Sequence, residues 1–121
     1  MDFIPLRGHI YTVYFGKQYH SELGKARPAL VMQNDEVNQS LSHQSFQSVT
    51  VLPLTSMLEG GDMRVFIPAR GIMLKNSEIC IDQMCTVDIQ RFPYQEVLTF
   101  LSEDEMAEVE LKLKKFLGLH E

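Results

Sequence analysis

Apolar residues fall in short runs over most of the chain and change to helical spacing near its end. Residues 9–15, His-Ile-Tyr-Thr-Val-Tyr-Phe, are rich in β-branched and aromatic side chains and predict a strand. A polar loop follows over 16–24, and the apolar run 28–32 predicts a buried strand that Gln33-Asn34-Asp35 ends. Residues 34–48 are rich in Ser, Gln and Asn and predict a loop. Residues 49–54 predict a strand whose Pro53 cannot donate to a ladder, which puts that end at an edge or a strand exit. Turns are expected at 59–62 and 76–77, a strand at 64–67, and a strand or a bent pair of strands over 78–87. At the end of the chain, Ser102 and Glu105 have the spacing of a capping box. Met106, Val109, Leu113, Phe116 and Leu117 then recur at helical spacing, with Gly118 as the C-cap, which predicts an amphipathic helix over 102–117. Five or six short strands and a closing helix imply a small, strongly curved sheet or barrel.

The chain of 121 residues fits a single domain, 1–121, with no internal repeat or linker. Its apolar fraction of 45% and charged fraction of 22% are those of an ordinary globular domain. No apolar run approaches the roughly 20 residues that span a bilayer, and residues 1–7 lack the pattern of a signal peptide. Cys80 and Cys85 are expected as free thiols. These features predict a cytoplasmic protein with no membrane association. A net charge of −5 argues against a general nucleic-acid coat but leaves room for a local basic groove. Arg7, Lys17, Lys25 and Arg27 lie early in the chain, whereas 103–110 holds five acids.

Nucleotide-loop, zincin and nucleophile-elbow motifs are absent from the sequence. The histidines His9, His20, His43 and His120 are scattered, and Cys80 and Cys85 would point to opposite faces of one strand. No metal and no cofactor is expected. The stretch from Tyr19 to Arg27 holds an aromatic ring, an imidazole, a hydroxyl, a carboxylate and two cations. RNA cleavage by the internal 2′-hydroxyl needs a base for the 2′ proton, an acid for the 5′ oxygen and cations for the phosphorane. Such groups could supply these services, although the same composition also describes a solvated loop. Arg27 sits at the mouth of a strand, where a guanidinium can be fixed against a phosphate or can form a surface ion pair. Thr55 sits at a strand exit, where a threonine commonly bonds local backbone.

Six segments resemble, in order, the MazF/PemK/Kid toxin family. Arg7-Gly8-His9-Ile10-Tyr11 resembles R-G-[ED]-[IV]-[YW], and residues 21–28, Ser-Glu-Leu-Gly-Lys-Ala-Arg-Pro, resemble S-E-Q-x-G-x-R-P. Residues 30–35 resemble L-V-I-Q-N-D, 49–56 resemble V-x-V-x-P-[LIV]-T-S, and 82–88 resemble [ED]-Q-I-R-T-[IL]-D. Residues 101–106 and the closing 117–119 also fit.

The resemblance implies a small SH3-like barrel of the PemK/MazF/CcdB type, mainly β with a C-terminal amphipathic helix, usually a homodimer. The implied reaction is metal-independent, sequence-specific cleavage of single-stranded RNA, leaving 2′,3′-cyclic phosphate and 5′-hydroxyl ends. The implied protein partner is a cognate antitoxin. By position, Arg27 matches the family's catalytic arginine and Thr55 its catalytic threonine. Glu22 matches a loop glutamate implicated in some members, and Asp82 an acid that serves as base in others. His20, Ser21, Lys25, Ser56 and Gln83, within or beside these motifs, are the expected RNA contacts.

Three features depart from the pattern. Leu23 replaces the motif's glutamine, and its glycine comes one residue early, at Gly24. Cys85 replaces the arginine of Q-[IV]-R-T, and Cys80 stands where one branch uses a catalytic arginine. Lost cations weaken phosphate binding, and His20 could compensate. Two alternatives therefore accompany the ribonuclease reading: a CcdB-like toxin that binds gyrase, and a catalytically degenerate MazF-like binding protein.

Overall fold

The computed structural model describes residues 3–16 and 25–119. Its spine is a long strand, β3 (Ser48–Thr55). On one edge β3 pairs with β2 (Ala26–Val31), which pairs with β1 (His9–Tyr14), and β1 in turn pairs with the short β7 (Thr99–Phe100). On its other edge β3 meets two strands in succession. β6 (Cys85–Asp88) pairs with Ser48–Val51, and β5 (Ser77–Cys80) pairs with Leu54 and Thr55. A 3-10 turn over Ile81–Gln83 separates β5 from β6, so residues 78–87 are the bent pair of strands. β4 (Arg64–Ile67) completes the order beyond β5. Every strand pairing among the described residues is antiparallel.

Pro53 lies inside β3 and not at its exit, so of the two expected positions it takes the edge, at a local gap in pairing. Leu52 and Pro53 face the gap between β6 and β5 on that edge, so the missing donor there removes no ladder bond.

Cross-strand partners share a face of a sheet, and successive residues alternate between faces. Ile10, Leu30 and Leu52 are aligned and fully buried on one face, with Leu54, Val65, Ile67 and Ile79. Tyr11 and Ala29 are aligned on the other face, with Val13, Val31, Val49, Val51, Val87 and Phe92. Both faces are thus covered, and the sheet curls into a half-barrel.

The C-terminal helix, α2 (Glu103–Leu117), closes the first face. Its capping box is present: Glu105 N donates to Ser102 Oγ, and Ser102 N donates to Glu105 Oε1. Gly118 ends it in the left-handed region at φ 71°. Val109 is fully buried, and Met106 and Leu113 pack against the same cluster. Phe116, expected to pack with them, is 45% exposed, as is Leu117, and neither belongs to the buried cluster.

Residues 34–48 are more ordered than a loop. Asn34 caps a short helix, α1 (Asp35–Gln39), by accepting from Val37 N at 2.9 Å, and a 3-10 turn follows over Leu41–His43. The buried Asn38 and the neighbouring Gln33 bond each other, and Gln33 reaches Ser48 O and Thr50 N. Amides that read as loop residues here satisfy buried backbone groups. Gly71 holds the turn after β4: its φ is 59°, and a Cβ there would lie 2.6 Å from Leu98 O.

Candidate functional site

The face that carries Tyr11, Ala29 and Val51 changes character toward one end. Arg27 lies opposite Val13 and two residues before Ala29, so it extends that row. Thr55 lies two residues beyond Pro53, the partner of Ala29. Thr55 pairs with Glu78, Glu78 pairs with Phe66, and Cys80 pairs with Arg64. By strand parity, one sheet end therefore carries Arg27, Thr55, Glu78, Cys80, Arg64 and Phe66 on one face. Burial raises the Cys80 thiol above its usual range; Arg64 and Arg27 oppose that shift, and Asp82 and Glu78 add to it. Arg27 and Asp82 thus both lie within electrostatic reach of one buried thiol.

Arg27 is half-buried, held by a strand whose next residues are apolar. At the strand end it also lines a concavity of about 380 Å³ with Ser56, Lys75 and the buried Leu54, Met73 and Ser77, which face the opposite side of the sheet from Thr55. Thr55 is buried, and its hydroxyl accepts from Met57 N at 3.1 Å, the local bond typical of a threonine at a strand exit. That bond leaves its proton available to donate. Asp82 is exposed and Gln83 half-buried on the 3-10 turn, anchored by the fully buried Ile81.

Lys25 adopts φ 66°, alone among the described non-glycine residues in this region. It continues the pairing of β1 with β2, with Phe15 N donating to Lys25 O and Lys25 N to Gly16 O. The motif's early glycine, Gly24, leaves a lysine at the left-handed position. His20, Ser21 and Glu22 lie outside the described residues.

Three groups at this end escaped the sequence reading. Lys75 lines the concavity. Glu78, 5% exposed, accepts from Glu59 N, Gly60 N and the Arg64 guanidinium. The Glu59 backbone bond is the main reason its carboxyl sits below the usual range. Arg64 joins Glu78 at 3.2 Å and Glu59 at 3.3 Å. Strand alternation could have placed Glu78 on the face of Thr55, but its pairing with Arg64 needs the fold. Among the described residues, no three His, Cys, Asp or Glu side chains group as metal ligands. Cys80 and Cys85 are free thiols, the first buried and the second half-buried.

Residues 6–117 match the model of the PemK-like, MazF-like toxin of type II toxin–antitoxin systems. MazF from Deinococcus radiodurans is 28% identical with a TM-score of 0.78, covering 97% of this chain and 99% of that one. A MazE–MazF structure from the same organism gives 26% identity and a TM-score of 0.75, over 98% and 100% of the two chains. An endoribonuclease in complex with its cognate antitoxin, from a mycobacterial species, shares the fold at 20% identity and a TM-score of 0.72, over 97% and 98%. With a matching family model over nearly its whole length and the same fold as these toxins, the chain belongs to the PemK-like, MazF-like toxin family of type II toxin–antitoxin systems.

Proposed function

We propose that this toxin is a sequence-specific, metal-independent endoribonuclease of the cytoplasm that cleaves single-stranded RNA. The 2′-oxygen attacks the adjacent phosphorus, the bond from phosphorus to the 5′-oxygen breaks, and a 2′,3′-cyclic phosphate and a 5′-hydroxyl remain. Arg27 faces the scissile phosphate and stabilises charge that grows on the non-bridging oxygens. The Thr55 hydroxyl orients the same phosphate. Asp82 or Glu22 takes the 2′ proton, and a proton passes to the departing 5′-oxygen. His20, Ser21, Lys25, Ser56 and Gln83 contact the strand around the cut.

One observation carries this reading: Arg27 and Thr55, on different strands, extend the same face of the sheet toward one end. The antitoxin complexes among the structural relatives support a cognate antitoxin as partner. A homodimer extends the groove beyond what one subunit offers. Cys80 and Cys85, where arginines are expected, favour a second reading, a homologue that binds RNA or antitoxin without cutting. Gel analysis of a long RNA with purified protein in EDTA separates the two. Discrete fragments that vanish with Arg27→Ala support the nuclease, and intact RNA supports the binding protein.

A further inference from the structure

We propose that Arg64 is a second phosphate-binding cation of the RNA site, oriented by Glu78 and covered in the free protein by Glu59, which an incoming phosphate displaces. The proposal rests on the reading of this face as an RNA site. Arg64 shares that face through its register with Cys80, and both Arg64 and Arg27 act on the Cys80 thiol. The chain lacks arginines at 80 and 85, and strand β4 brings one to the same place from the side.

The two carboxylates on Arg64 differ in kind. The Glu78 side chain is 6% exposed and fixed by two backbone N–H groups, so it cannot leave. The Glu59 side chain is 64% exposed, and its oxygen lies 3.3 Å from the outer nitrogen of Arg64. An exposed ion pair of this sort contributes only about 0–1 kcal/mol. A phosphate offers the same oxygens to the same guanidinium edge, and the displaced carboxylate returns to water. The base of Arg64 does not need to move, since Lys112 Nζ donates to Arg64 O at 2.7 Å and ties β4 to α2. Two residues on, Phe66 shows a ring that is 51% exposed on the same face, the kind of surface on which an unpaired base stacks.

Glu59→Ala removes the competitor yet keeps the backbone N–H that Glu78 holds. Binding is measured by fluorescence anisotropy on a mixed-sequence 2′-O-methyl RNA, which cannot be cut, across a salt series. Glu59→Ala should tighten binding about three- to tenfold at low salt. Glu36→Ala removes the same charge from α1, at the opposite end of β2, and should change it far less. Arg64→Gln with Glu78→Gln avoids leaving a buried carboxylate unpaired. This double variant should weaken binding and lower the salt slope by about 0.7, the loss of one phosphate contact on a single strand. Wild-type binding with no gain in Glu59→Ala, or a gain equal to that of Glu36→Ala, overturns the proposal and leaves the RNA reading intact. No RNA binding by the wild type, with the fold verified by circular dichroism, overturns both.

Discussion

Arg27 is rigid because β2 is: it pairs with Val13 and is separated only by Pro28 from three fully buried residues, Ala29, Leu30 and Val31. Arg27→Ala should therefore leave the melting temperature nearly unchanged and lower the cleavage rate about 10²–10³-fold, the usual loss for one donor to transition-state charge. Single-turnover kinetics on a cleavable RNA checks this. Lys25 allows a test of the opposite kind. A non-glycine residue in the left-handed region is strained, so Lys25→Gly should raise stability by about 0.5–1 kcal/mol in urea titration. The same change removes a cation near Arg27 and should weaken RNA binding. At this scale the sequence was informative where a side chain sits beside an unmistakable apolar run, as Arg27 and Thr55 do. It was silent on Glu78 and Arg64, because a buried carboxylate makes sense only once the backbone of Glu59 and Gly60 closes over it.

Helix α2 was readable in advance because its signals are local: a capping box, a helical apolar stripe and a terminal glycine. How it is held to the sheet was not. Arg70 donates to both oxygens of Glu105 at 2.7 and 2.8 Å and also to Phe100 O, a link across 35 residues that no local pattern encodes. The Arg70 bond is the main cause that lowers the Glu105 carboxyl to about 2, with the capping bond to Ser102 N helping. A carboxyl depressed in the fold stabilises above its unfolded pKa. That contribution, about 2 kcal/mol once solvent around the pair is allowed for, should fade as pH falls from about 4.5 toward 2. Glu105→Gln should flatten the stability profile over that window in denaturant titrations at stepped pH. Helix α1 went unread for a different reason. Its Asn and Gln side chains are the same types that make loops, and only their bonds to buried backbone distinguish the two.

At the scale of the molecule, much of the positive charge is spent internally. Arg7 bridges Met32 O and Glu110, Arg70 grips Glu105, and Arg64 holds two glutamates. This suits a protein of net charge −5, in which acids outnumber the cations they hold. The half-barrel was legible from strand spacing and family motifs, and a bent pair of strands over 78–87 was one of the two readings offered; that β5 and β6 pair with the same edge of β3 on either side of Pro53 needed the fold. We expect a homodimer, and light scattering at micromolar concentration should give about twice 13.9 kDa; the monomer mass would contradict it.

The most direct test of the central claim is cleavage of one long RNA by purified protein in EDTA, with the fragment ends analysed and the cut site then resynthesised with a single 2′-deoxy sugar. The account predicts cutting at defined sites without metal, cyclic-phosphate and 5′-hydroxyl ends, and resistance of the deoxy substrate. Intact RNA, cleavage that EDTA abolishes, or unchanged cutting at the deoxy position would contradict it.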